Sequence, residues 1–252
     1  MDFMISIIAL TSALTLAAVV VMYFKLSAAI DRRAKAILNA TENQFRQIEA
    51  LLAVYKESDI THALPPTRGW AASPDFLRNL SILIGEKKPR TVVECSSGTS
   101  TLVVAACLKR LGEGHVYSLE NDPEFAEKTR AALIRSGLSS WATVLDAPLK
   151  QTILDGWQGN WYSTDNLPPD LNIDLLCIDG PPGIFQPLAR YPALPIFAQQ
   201  LSTPAYVIMD DSERDDEKTT ICRWKESFKY IETHHVPECE KGCTLLRIAG
   251  LK

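Results

Sequence analysis

The sequence predicts an α/β fold: a seven-stranded sheet with helices on both faces, preceded by a long N-terminal helix. Three observations predict it. No Gly or Pro occurs before Pro65, although the chain holds 12 Gly and 15 Pro. Beyond residue 61, short β-branched runs alternate with longer helical segments. The C-terminal end breaks that alternation with two strand-like runs in succession. A long stretch free of breakers suits a continuous helix. Strand–helix alternation gives a parallel sheet, and two consecutive strands joined by a turn give an antiparallel pair.

The first helical part is FMISIIALTSALTLAAVVVMYF, Phe3–Phe24, which carries no charged residue. At ~1.5 Å per residue it reaches about 33 Å, matching a bilayer core of roughly 30 Å. Only Met1 and Asp2 precede it, so the basic n-region of a cleaved signal is missing, and an uncleaved anchor over residues 1–25 is expected. Lys25, Arg32, Arg33 and Lys35 follow the apolar run. By the positive-inside rule they place the rest of the chain in the cytoplasm.

Residues 26–60 read as a helical stalk. Ile30, Ile37, Thr41, Ile48, Leu52 and Tyr55 recur at intervals of three, four or seven. This stripe offers a seam for a homodimer, with Asn39 and Gln44 interrupting it, or else lies along the chain's own domain.

The globular domain is expected over 61–252. Its strands are Thr91–Cys95, His115–Glu120, Trp141–Asp146, Ile173–Asp179 and Tyr206–Asp211, followed by KYIETHHV and CTLLRIA. Helices are expected over Thr99–Leu111, over Pro123–Ser136 and from the fifth strand to about Phe228. A long loop, about 147–170, carries Trp157, Trp161 and Tyr162, which form either a lid or a cover for an apolar edge.

Composition limits the function. A net charge of −4 gives no basic surface for a nucleic-acid partner, though small anionic ligands remain open through helix N-termini. Six cysteines are too few for a disulfide framework in a chain of 252 residues. Cys95, Cys107 and Cys177 fall within apolar patterns and read as buried small residues, in keeping with a reducing cytoplasm. His234, His235, Cys239 and Cys243 resemble zinc ligands in type, but they lie on a strand–turn–strand segment and read as chance spacing. His62 and His115 read as structural.

Ligands in parallel sheets bind beyond the carboxyl ends of the strands. The first strand ends in Glu94-Cys95-Ser96-Ser97-Gly98-Thr99-Ser100. Small residues there let the backbone approach a ligand, and Thr99 and Ser100 are candidate helix caps. Only one of the three glycines of the dinucleotide fingerprint is present, which disfavours a nicotinamide oxidoreductase. Glu120 ends the second strand, suited to two ribose hydroxyls, and Asp146 ends the third, suited to an adenine amino group.

With these residues in view, 61–252 resembles the class I S-adenosylmethionine-dependent methyltransferases, most strongly over Val92–Thr101. The resemblance implies a Rossmann-like methyltransferase sheet. It also implies that Glu94, Ser96, Ser97, Gly98, Thr99 and Ser100 wrap the methionine end of S-adenosylmethionine, with Glu120 on the ribose and Asp146 on the adenine. One departure is that the family loop usually has Gly where this chain has Ser96. LPPTRGWAASPDFL before the first strand and IDGPPG after the fourth are similar to a membrane-anchored bacterial subgroup of unassigned substrate.

On the acceptor side, Asp179 opens the turn Asp-Gly-Pro-Pro-Gly, and Asp210 and Asp211 end the fifth strand. If those strands are neighbours the three carboxylates converge. They then serve as bases (Asp179, Asp210) or as ligands of Mg²⁺, as in the similar catechol-type O-methyltransferases, with Asp211 the third ligand. The competing reading has Asp211 and Ser212 cap the next helix. Arg68, Gly69, Trp70, Arg190 and Tyr191 are placed to meet an acceptor, Arg190 through an acidic or phosphorylated group. The expected activity is O-methyl transfer to a small-molecule, glycan or lipid-linked hydroxyl. The alternative is a non-catalytic, membrane-tethered assembly protein that keeps the fold.

Overall fold

The structure is a computed structural model that describes residues 1–154, 156–236 and 239–250. It divides into two compact units, 1–46 and 47–252.

The first helix, α1 (Asp2–Ser58), runs through the breaker-free stretch. The apolar side chains between Phe3 and Phe24 are exposed, and by length and composition α1 can cross a membrane. Its last turns belong to the second unit. Gln47, Ala50, Val54 and Ser58 are buried, whereas Ile48 and Leu52 of the expected stripe are exposed. The compact unit therefore begins inside the stretch expected as stalk. The reason is a spacing of three and four with small or polar members, which let the helix approach closely. Gln47 donates to Asp75 Oδ2 at 2.6 Å, and Ser58 meets Cys107 Sγ at 3.1 Å.

The strands are β1 (Thr91–Cys95), β2 (His115–Glu120), β3 (Ala142–Asp146), β4 (Leu149–Leu154), β5 (Trp157–Tyr162), β6 (Ile173–Ile178), β7 (Leu201–Asp210), β8 (Tyr230–Val236) and β9 (Cys243–Gly250). Seven of them form one sheet in the order β3-β2-β1-β6-β7-β9-β8. The first five in that order are parallel, and β9 is antiparallel to both β7 and β8. The remaining helices are α2 (Pro74–Lys87), α3 (Thr99–Leu111), α4 (Pro123–Arg135), α5 (Ala193–Phe197) and α6 (Asp215–Ser227).

Side-chain alternation along the strands builds two cores. Val92, Leu175, Cys177 and Ile208 face α2, α3, α4 and the end of α1. Val93, Leu176, Ile178 and Met209 face α5, Trp224 of α6, and β5. Helices thus cover both faces, as the alternation predicts.

The expected loop at 147–170 is corrected: β4 and β5 form an antiparallel hairpin within it. Gly156, at φ +77, supplies the left-handed backbone that its turn requires. Trp157, Trp161 and Tyr162 are buried in the second core, so they cover an apolar edge and are not a lid. Cys95, Cys107 and Cys177 are buried as expected. His235 lies on β8 and meets Glu213 Oε1 at 2.8 Å. Residues 237–238, within the His/Cys stretch, lie outside the described residues.

Candidate active site

Strand order decides which strand ends meet. β1 lies between β2 and β6, and β7 flanks β6. Cys95 pairs with Ile178, and Ile178 with Met209. Asp179 and Asp210 therefore follow matched positions on neighbouring strands, both at the carboxyl edge beside the loop after β1.

That loop is tightly held. Ser96 has φ +107 and Gly98 φ +147, both positive. The N-cap of α3 is Gly98, and its N–H donates to the Thr101 hydroxyl at 3.0 Å. Thr101 does the capping expected of Thr99 and Ser100, because it stands one turn in and points back at the loop. Thr99 and Ser100 are themselves buried in α3.

Glu94 is completely buried. Its Oε2 accepts from Thr101 and from Ser118, each at 2.6 Å, and its Oε1 has no partner. Burial pushes its carboxyl up to about 7, against the opposing hydrogen bonds. Glu120 is also buried. Its Oε2 accepts from the Ser97 N–H at 3.0 Å and the Ser97 hydroxyl at 2.8 Å, and its Oε1 from the Asp122 N–H at 3.0 Å. Asp122 caps α4 by accepting from Glu124 and Phe125. Asp146 pairs with Glu120 across β2 and β3 but is exposed, with Oδ1 2.6 Å from Arg130.

These residues fit a cofactor of the S-adenosylmethionine kind. Glu94 keeps a buried oxygen without a partner, Glu120 keeps one acceptor position on Oε1 beside the loop, and no atom lies within 4 Å of the Cβ position of Gly98.

A second close approach joins this loop to the acceptor side. A Cβ on Gly180 would overlap the Tyr162 hydroxyl and lie 3.1 Å from Ser96 Cβ and 3.2 Å from the Cys95 carbonyl. The turn after β6, the hairpin and the loop after β1 thus meet at one glycine.

Asp179, Asp210 and Asp211 do converge, offering oxygens within 4.8 Å of one another. Asp210 Oδ1 accepts from the Asp211 N–H at 2.8 Å, and Oδ2 is buried without a partner. Burial, then Asp179, then Asp211 raise the Asp210 carboxyl well above its ordinary range. Burial raises Asp179 to about 6 against the pull of Arg190.

Arg190 enters the cluster from the segment before α5, and its side chain is 3% exposed. It donates to Asp211 Oδ2 at 2.7 Å, to Asp179 Oδ1 at 3.3 Å and to the Asp210 carbonyl at 2.7 Å. Glu217 Oε1 lies 3.5 Å from its Nε. Arg190 is therefore committed internally and is corrected as an acceptor-binding group. Sequence reasoning singled it out but could not see that it and the acids are mutual partners. Asp211 and Ser212 do not cap α6: its N-cap is Arg214, whose N–H bonds the Asp211 carbonyl at 3.0 Å. Nor is the acid set open to an added Mg²⁺: the guanidinium already engages Asp179 Oδ1 and Asp211 Oδ2, and a second cation placed beside it would face like-charge repulsion at close range. Trp70 is exposed, and Arg68 beside it is paired to Glu240.

Residues 93–212 match the family described as a methyltransferase domain. No curated protein is significantly similar in sequence. Solved structures share the fold. Cofactor-bound Rv0187 from MTB is 21% identical, with 80% of this chain and 90% of that chain covered and a TM-score of 0.55. The O-methyltransferase TomG from Streptomyces achromogenes, involved in tomaymycin synthesis and solved with SAM, is 14% identical, with 81% and 89% covered and a TM-score of 0.53. An O-methyltransferase from Bacillus cereus in complex with SAH is 17% identical, with 79% and 90% covered and a TM-score of 0.53.

Proposed function

We propose that this chain, whose residues 93–212 match a methyltransferase domain and whose fold is shared by solved S-adenosylmethionine-dependent methyltransferases, methylates an acceptor hydroxyl. The acceptor class is a small molecule, a glycan or a lipid-linked intermediate. One observation carries the reading: the buried, unpartnered Oδ2 of Asp210 stands at the carboxyl edge of the sheet, two strands from the loop Ser96–Gly98.

When bound, S-adenosylmethionine supplies an electrophilic methyl group on a sulfonium. The proposed roles of the chain are to bind, align and deprotonate. Ser96, Ser97, Gly98, Thr99 and Ser100 shape the methionine end, with Glu94 beneath them. Glu120 holds the ribose and Asp146 the adenine. Asp210 Oδ2 takes the acceptor proton. Its raised affinity for protons makes it a better base near neutral pH than an ordinary aspartate. Asp179 helps to keep it so by like-charge repulsion. Burial of the cluster excludes water from the proton transfer.

The apolar half of α1 supports a single-pass anchor in the cell membrane. The flanking Lys25, Arg32, Arg33 and Lys35 support a cytoplasmic domain. An anchor keeps the site near membrane-borne acceptors. Removing residues 1–24 should then impair function in cells while sparing turnover on a soluble acceptor; unimpaired function in cells would count against the anchor's role. Exposed Ile30 and Ile37 support a second copy as partner of the stalk. Unchanged cross-linking after both become Glu would refute that.

Ser96 favours the second reading, a non-catalytic assembly protein, because a non-glycine at φ +107 is strained where the loop must wrap a ligand. Calorimetric titration of S-adenosylmethionine into the full chain in detergent micelles separates the two. Micromolar binding lost in Glu120→Ala supports the enzyme; no binding to folded protein refutes it.

A further inference from the structure

We propose that Arg190 is the resident cation of the acidic cluster: its guanidinium takes the place a divalent ion would fill among Asp179, Asp210 and Asp211. On this view, methyl transfer by this chain needs no bound metal. The catalytic consequence rests on the proposed transfer reaction, whereas the exclusion of the ion stands by itself.

The geometry is specific. One nitrogen of Arg190 lies between Asp211 Oδ2, at 2.7 Å, and Asp179 Oδ1, at 3.3 Å. The other terminal nitrogen holds the Asp210 carbonyl at 2.7 Å. Glu217 faces the remaining edge of the guanidinium, and its Oε1 lies 3.5 Å from Nε. A planar fork that spans neighbouring strand ends can do what a spherical ion does, which is to hold like charges together. Asp211 is further neutralised from the rim, where Arg214 lies 2.9 Å and Lys241 3.9 Å from its Oδ1. An incoming Mg²⁺ would have to lie against a buried guanidinium and would meet two more cations at Asp211 Oδ1.

This arrangement also divides the acids by role. Asp179 and Asp211 each commit one side-chain oxygen to Arg190. Asp210 gives Arg190 only its backbone carbonyl, so its Oδ2 stays unpartnered. The cation thereby orders the cluster without bonding the Asp210 carboxylate. Arg190 is a positioning residue.

The test is Mn²⁺ titration followed by electron paramagnetic resonance, with the full chain in detergent micelles. Wild type should withdraw no more free Mn²⁺ signal than Asp179→Asn does. Arg190→Met, which removes the charge but keeps an unbranched side chain, should withdraw one further equivalent. One equivalent bound by wild type and lost in Asp179→Asn would overturn the proposal. So would a folded Arg190→Met that binds no more than wild type. If Arg190→Met does not fold, the wild-type and Asp179→Asn pair decides alone. Binding of S-adenosylmethionine, measured on the same samples, reports on the transfer reading separately.

Discussion

Glu120 accepts two hydrogen bonds from Ser97, one from its N–H at 3.0 Å and one from its hydroxyl at 2.8 Å. The end of β2 thus holds the loop after β1 in shape. A carboxylate expected to bind a ribose also shapes the loop proposed to wrap the rest of the cofactor.

Glu120→Ala should therefore weaken S-adenosylmethionine binding by more than a ribose contact alone, on the order of 10²-fold, since it also leaves the part-buried Ser97 N–H unpaired. Calorimetry measures it. A loss of less than about threefold would mean that the loop keeps its form without Glu120.

Asp146→Ala provides the contrast. Its carboxylate is exposed and paired with Arg130, so the stability change should stay below about 1 kcal/mol. Any larger effect on cofactor affinity in the folded variant would then report a direct contact with the ligand.

Asp210→Asn should lower kcat by about 10²–10⁴-fold while leaving cofactor affinity unchanged. In wild type the rate should rise with pH as the cluster loses its proton, because burial and the neighbouring acids raise Asp210. The variant should lose that rising limb. Equal kcat in the two proteins would remove Asp210 from the chemistry.

Glu94 makes stability depend on pH. Its folded carboxyl is raised from 4.5 to about 7, so the folded state binds more protons than the unfolded state between those values. Its contribution then falls as pH rises through that window, by on the order of 3 kcal/mol. Glu94→Gln should give a flatter curve of unfolding free energy over the same range. An unchanged slope would show that Glu94 titrates normally.

Gly180→Ala should destabilise by about 1–3 kcal/mol, since the new Cβ overlaps the Tyr162 hydroxyl and crowds Ser96. It should also weaken the cofactor, because relief of the overlap moves the loop. A variant that matches wild type in both thermal unfolding and affinity would show that the three segments are not tightly joined.

The legible parts of the fold were those with local causes. β-branched runs marked β1, β2, β3, β6 and β7, and the acids at their ends were named from position alone. The β4–β5 hairpin was missed. Its strands, LKQTIL and WQGNWY, are largely polar on their open face and carry little periodic signal. The packing of α1 was misread for a related reason: Gln47 and Ser58 are buried through hydrogen bonds, which hydrophobic spacing does not reveal.

By itself the sequence determined the alternating α/β architecture, the apolar N-terminal helix and the acids that reach the carboxyl edge. Each follows from side-chain periodicity, backbone propensity or chain length, which act over a few residues. The tertiary structure decided which acids have partners. Arg190 is 11 residues from Asp179 and 21 from Asp211, and only the neighbouring placement of β6 and β7 brings it between them. Charge pairing in a buried site depends on distance through space, and the order of strands in the sheet sets that distance.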